Sequence, residues 1–348
     1  ASLKSGNMRF FLPLVVLCLF GCGQQSVPPP FEKVDIQILY RDTLSVRALE
    51  FMPGSVGFGG SGGLFGSVDT RDFSVRTNRI EYQGAFPEFR ATGHTSTDFF
   101  LLSAGSPALL YKTGDQGSME LIYEDHHPEV FYDSMAFWDD LNGIAVGDAM
   151  EGCLSILITR DGGNTWEKLS CENLPPALPG EGAFAASDTN IAIAGPACWI
   201  VTSRGRIFYS PDRGKEWEVL ATPEESERET QGLYSLDFFN AQQGYAVGGD
   251  YTRPQGNTEN KLSTQNGGKT WSFEASGEFP GYKSCVQYIP GREGRDLVAV
   301  GFTGIAYSSD RGVSWQPLSE TGFYSLRFVD DSTAVASGKG KIARLRFR

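Results

Sequence analysis

The chain has 348 residues, 40% of them hydrophobic and 12% aromatic, with 42 glycines, which supplies a large core and suits many short strands better than long helices. Its 30 Lys and Arg stand against 42 Asp and Glu, a net charge of −12, and no basic cluster occurs apart from the closing KGKIARLRFR. Nucleic acid is therefore not expected as a partner, because phosphate binding needs a concentrated basic surface.

From Met8 the chain reads MRFFLPLVVLCLFGCGQQS: one Arg, an apolar run, small residues and a cysteine, the order of a secretory signal. Leu19-Phe20-Gly21-Cys22 resembles a bacterial lipobox, which implies lipidation at Cys22. The apolar run is too short to span a bilayer well, so membrane contact is expected through the lipid alone. Residues 1–22 are assigned to the signal, with 1–7 preceding the native start. The polar, proline-rich stretch 23–32 is assigned to a flexible tether and 33–348 to a single domain. Gly23 rather than Asp follows Cys22, which implies the outer membrane of a Gram-negative cell.

In chain order, KVDIQILYR (33–41) is a strand without a unit of its own. Seven units follow, with inner strands expected near SVRALEF (45–51), FRATG (89–93), FYDSMAF (131–137), GAFAAS (182–187), YSLDFF (234–239), SCVQYI (284–289) and YSLRFV (324–329). Turn residues separate short alternating runs throughout, four strands to a unit, which describes a β-propeller blade. The last unit stops after IARLRF without an outer strand. The expectation is an all-β, seven-bladed β-propeller of four-stranded antiparallel blades, closed by the N-terminal strand completing the last blade. Six or eight blades stay open because the first two units are degenerate.

Four segments share the pattern S/T-x-D/N-x-G-x-x-W: TRDGGNTW (159–166), SPDRGKEW (210–217), TQNGGKTW (264–271) and SSDRGVSW (308–315). TGDQGSME (113–120) keeps Thr113, Asp115 and Gly117 without the Trp. In each, the Asp or Asn (Asp161, Asp212, Asn266, Asp310) can accept backbone N–H groups of a tight turn, and Gly can take a positive φ. The Trp (Trp166, Trp217, Trp271, Trp315) opens the returning strand and can wedge between neighbouring sheets. Cys153 and Cys171 flank the first of these turns, so a hairpin there brings them nearly opposite and makes a disulfide possible. Cys198 and Cys285 read as free, buried thiols.

These repeats resemble the Asp-boxes named in sialidases, sortilin-type receptors and xyloglucan-cleaving glycosidases. FYDSMAFWDDLNGIAVGDAMEGCLSILITRDGGNTW, GLYSLDFFNAQQGYAVGGDY and LVAVGFTGIAYSSDRGVSWQPL resemble bacterial exported propellers of the photosystem II stability and assembly factor type. That resemblance implies a binding or assembly scaffold for envelope proteins or glycans, extracytoplasmic and lipid-anchored.

Chemistry other than binding finds little support. GFGGSG (57–62) matches a dinucleotide-loop pattern but no helix follows, so an oxidoreductase is not indicated. Three His (His94, His126, His127) give no metal site; YEDHHPEVFYD (123–133) reads as a solvated loop. No cofactor is indicated. A sialidase is disfavoured, because no Arg-Ile-Pro segment occurs and no set of three inner-strand arginines suggests a carboxylate clamp. The rival is a glycan-directed hydrolase or lyase using paired carboxylates. Candidate ligand residues lie on the rim opposite the boxes: Asp133, Asp148, Glu181, Asp250, Tyr251, Arg253, Tyr282 and Lys283.

Overall fold

A computed structural model describes residues 28–223, 226 and 228–348. The signal with Cys22, and most of the assigned tether, lie outside the described residues. The chain alternates short strands with glycine-rich turns, and every strand pairing is antiparallel to a sequence neighbour or, once, between the two ends of the chain.

Among the described residues the sheets are six, not seven. Five are four-stranded: Glu88–His94 to Met119–Asp125, Tyr132–Phe137 to Glu167–Lys168, Ile191–Ala194 to Glu218–Leu220, Gln231–Phe238 to Ser272–Phe273, and Cys285–Tyr288 to Gln316–Ser319. They are called sheets two to six here, in that order. Sheet one has six strands, in the order Ser325–Phe328, Thr333–Phe347, Val34–Met52, Ser55–Gly60, Leu64–Asp69, Val75–Arg79. The expected first and last units are thus one sheet, which corrects the seven-bladed ring and its separately completed closing blade.

The physical reason is strand length. Val34–Met52 runs 19 residues without a break and Thr333–Phe347 runs 15, so neither divides where turn residues were expected to divide it. Irregularities at 38–40 and 41–45 bend the first of them while its hydrogen bonds continue. Ile36 lies opposite Leu345 and Val34 opposite Phe347. The inner strands Val34–Met52, Glu88–His94, Tyr132–Phe137, Ile191–Ala194, Gln231–Phe238, Cys285–Tyr288 and Ser325–Phe328 each touch the next around the axis, and the last touches the first.

Core residues lie between sheets, and the four boxes explain how. In the first, the Thr159 hydroxyl accepts the Gly163 N–H at 2.9 Å and Asp161 accepts the Thr165 N–H at 2.9 Å. Ser210 and Asp212, Thr264 and Asn266, and Ser308 and Asp310 repeat both bonds. Two consecutive residues of each turn are left-handed, and in two boxes the first is an arginine, Arg213 (φ 64°) or Arg311 (φ 65°). Each Trp then packs toward the preceding sheet: Trp166 against Phe100 (6.3 Å between ring centroids), Trp315 against Tyr245 (5.7 Å), Trp217 beside Ile158, and Trp271 in one cluster with Trp199, with Phe238 of its own sheet edge-on to it.

Two further segments differ from expectation. Residues 182–187 are not the inner strand of sheet four; Ile191–Ala194 is. Pro28 to Glu32, assigned to a flexible tether, is bound to sheet six. Phe31 is buried beside Tyr307 and Phe347, and Arg292 and Arg295 donate to the carbonyls of Pro29 and Pro28, both at 2.8 Å. Cys153 and Cys171 are joined in a disulfide, and Cys198 and Cys285 are free and buried.

Candidate functional site

Antiparallel order puts the box turns, which join third to fourth strands, on one rim. The starts of inner strands and the ends of second strands lie on the other. On that second rim, at the axis, opens a pocket of about 580 Å³ lined by Arg47, Arg90, Asp133, Asp148, Tyr234, Tyr251, Tyr282, Phe302 and Tyr324, with Phe184 and its neighbours from the chain before sheet four.

The pocket floor is the segment 183–190, which leaves sheet three's rim and crosses the axis before Ile191 begins its strand. Small side chains let it pass, and every neighbouring sheet holds it. Asp188 accepts from the Thr92 N–H (2.8 Å), the Thr92 hydroxyl (2.7 Å) and the Met135 N–H (3.1 Å). The Ser187 hydroxyl donates to the Ser284 carbonyl at 2.6 Å, and Thr189 donates to the Ser235 hydroxyl at 2.7 Å. Ser325 donates to the Ser187 carbonyl at 2.8 Å.

Three arginines on inner strands also converge on it, a grouping that the sequence did not suggest. Arg47 donates to the Ala186 carbonyl (3.4 Å), Arg90 to Ala185 (3.0 Å) and Arg327 to Asp188 (3.0 Å). They serve the segment's backbone carbonyls. Burial, then the neighbouring Arg47 charge, lower the pKa of Arg90. The signal was present as an Arg at the third place of SVRALEF, the fourth of YSLRFV and the second of FRATG, but its target is set by chain far away in sequence.

One wall is aromatic. Phe184 and Tyr234 stack at 3.8 Å and 3°, Tyr282 meets Tyr234 edge-on at 4.9 Å, and Phe302 follows Tyr282 at 5.2 Å. Arg47 lies 3.8 Å from the Tyr324 ring centroid. Tyr251 and Phe302 keep 47% and 44% of their surface exposed at the mouth.

The pocket lining is also acidic. Asp133 is fully buried, and neither carboxyl oxygen has a hydrogen-bond partner among the described residues. Burial, then the charge of Asp148, push its pKa well up; Arg90 and the nearby backbone of Ala183 and Ala185 oppose this. Asp148 is pushed up to about 6, mainly by burial. Its carboxylate lies so close to Gly182 that a Cβ there would stand 1.8 Å from Oδ1, which accounts for the glycine.

Of the eight residues expected on this rim, Asp133, Asp148, Tyr251 and Tyr282 line the pocket, and four do not. Glu181 is buried in a structural pairing with Arg206, the Thr202 hydroxyl (2.7 Å) and the Leu178 N–H (2.8 Å). Asp250 caps its own turn through Thr252 (2.9 Å) and faces Arg228 at 3.6 Å. Arg253 is exposed beyond that turn. Lys283 is buried against Thr303 (2.8 Å), and its pKa falls to about 8 through burial. Missed from sequence were Arg47, Arg90, Phe184, Tyr234, Phe302 and Tyr324. No cluster of three or more metal-donor side chains occurs among the described residues.

No family model matches the chain, and no curated protein matches it. Among solved structures, YCF48 bound to D1 peptide is similar at a TM-score of 0.65 and 13% identity, over 91% of this chain and 96% of that one. YCF48 from Cyanidioschyzon merolae is similar at 0.65 and 13%, over 89% and 98%. The RRP9 WD40 repeats are similar at 0.62 and 11%, over 90% and 98%. Likeness at such identities establishes architecture, and the chain is an all-β propeller of antiparallel sheets around an axis.

Proposed function

We propose that the protein is a binding scaffold of the bacterial envelope, which holds a peptide segment of a partner protein in the axial pocket. The observation that carries this reading is the continuous aromatic wall, Phe184 to Phe302, opening at the mouth through exposed Tyr251 and Phe302. Rigid aromatic side chains supply contact area at small entropic cost, and the floor behind them is closed by residues 183–190. The similar YCF48 structure is described as bound to a peptide, and the motif resemblance to exported assembly-factor propellers with Asp-boxes points the same way. Affinity capture from detergent-solubilised envelope tests it. The wild-type chain retains a specific protein, and a Tyr251→Ala/Phe302→Ala pair loses it; retention unaffected by the pair would sink the pocket as the binding site.

The lipid anchor at Cys22 and the outer-membrane address belong to the same reading, supported by the lipobox-like sequence. With Phe31 fixed in sheet six, the six residues from Cys22 to Pro28 reach at most about 20 Å, which would hold the propeller against the bilayer. Labelled palmitate incorporated by wild type and not by Cys22→Ala is the expected result.

A second reading, a glycan-directed hydrolase, draws on one observation: Asp133 and Asp148 share the pocket with both carboxyls raised in pKa. Turnover on an oligosaccharide panel that disappears in Asp148→Asn would establish it over the scaffold.

A further inference from the structure

The charged groups of the pocket are unequally satisfied. Arg90 donates to Ala185, and Arg47 donates to Ala186 with its plane covered by Tyr324, its buried Nε having no partner among the described residues. Asp133 has no hydrogen bond on either oxygen although it is fully buried and lines the cavity. A buried acceptor without a donor is costly, so a ligand group that brings N–H donors gains more here than elsewhere on the wall. Asp148 adds a second acidic group in the same cavity, and the whole chain carries −12, which attracts a basic partner from a distance. The aromatic wall suits methylenes and favours a cation over its faces.

We propose that the pocket receives a lysine side chain of the partner, its ammonium donating hydrogen bonds to Asp133 and pairing with Asp148 while its methylenes lie along Tyr234 and Tyr282. This rests on the reading of the pocket as a peptide site. An ammonium beside the two carboxyls favours their ionised forms, so binding displaces protons and tightens as pH rises through the acidic range. The other titratable groups facing them are Arg47, Arg90 and Glu229, with the phenols of Tyr234, Tyr251, Tyr282 and Tyr324.

The probe is an array of heptapeptides with a fixed central Lys, acetyl-lysine or norleucine and randomised flanks, presented to the full chain. Central Lys should bind at least tenfold more tightly than acetyl-lysine, more tightly at pH 7 than at pH 5, and with proton release in calorimetry. Asp133→Asn should erase the Lys preference; Asp148→Asn, at a half-buried site, should weaken it and serves if the first variant does not fold. Equal binding of Lys and acetyl-lysine peptides, still lost in Tyr251→Ala/Phe302→Ala, overturns the lysine assignment and leaves the peptide site standing. Binding of no peptide, with an oligosaccharide array retained instead, overturns both.

Discussion

Asp188 accepts hydrogen bonds from both the backbone N–H and the hydroxyl of Thr92, at 2.8 and 2.7 Å, across 96 residues of sequence. That contact ties the axial segment to sheet two, and Met135 and Arg327 tie it to sheets three and one. Asp188→Ala would leave the Thr92 and Met135 donors buried and unpaired, a loss on the order of 4 kcal/mol. Asp188→Asn keeps one acceptor oxygen for the two Thr92 donors and tolerates the left-handed backbone (φ 60°), while its amide nitrogen faces the Met135 N–H, so its loss should be smaller but not zero. Urea unfolding of the two variants checks the difference; equal midpoints would remove the segment from the stabilising framework.

Trp166 is 9% exposed and packs edge-on to both Phe100 and Phe137, joining sheets two and three. Trp166→Ala should cost about 3–5 kcal/mol, read as a lowered melting temperature.

Gly312 combines a left-handed backbone (φ 84°) with a Cβ position 2.0 Å from the Tyr245 ring. Gly312→Ala therefore meets backbone strain and a steric clash together, about 2–4 kcal/mol. Gly277→Ala is the control, because it is also left-handed (φ 82°) but has nothing within 4 Å. Its loss should be confined to the backbone share.

Asp148 is raised from 3.8 to about 6 in the fold, so the native state holds this proton where the unfolded chain has released it. Its contribution to stability is fully present below pH 3.8 and is lost as pH rises to about 6. Asp148→Asn should remove that slope, up to about 3 kcal/mol across the window. The difference between wild-type and variant stability curves isolates it from the box carboxylates Asp161, Asp212 and Asp310, whose pKa values are lowered and whose slopes run the other way.

The disulfide closes a separation of 18 residues. Replacing Cys153 and Cys171 together by Ser should destabilise by about 3 kcal/mol in the loop-entropy account. Non-reducing and reducing denaturation of the wild type should differ by a similar amount.

What sequence made readable was local. The boxes carry their own donors, acceptors and glycines within eight residues, so both the turn and the aromatic wedge follow from chemistry at one place. Sheet count was harder, because the merging of first and last units depends on Val34–Met52 staying continuous through 41–45, where Asp42 and Thr43 read as a turn. The pocket was half readable. Asp148, Tyr251 and Tyr282 were found from loop position and Asp133 from its place near the start of an inner strand. GAFAAS alternates like a strand, yet its small residues pass across the axis because hydroxyls and arginines from distant strands complete its hydrogen bonds. Once that segment is placed, Arg47 and Arg90 acquire a role that their own neighbourhoods in sequence do not express. Glu181 and Lys283 erred in the opposite sense: polar rim residues were consumed by local pairing.

The pairing of the chain's two ends has a consequence for engineering. The Glu32 and Lys33 N–H groups donate to the Arg348 carbonyl at 2.7 and 3.0 Å, and Arg348 returns a bond to the Lys33 carbonyl at 2.9 Å. A short glycine linker can therefore splice residue 348 to residue 33, and new termini can be cut in an exposed turn such as Gly152 or Gly277 without unpicking a single sheet. Both turns lie on the pocket rim, so such a circular permutant would present a fusion partner on the same face as the pocket.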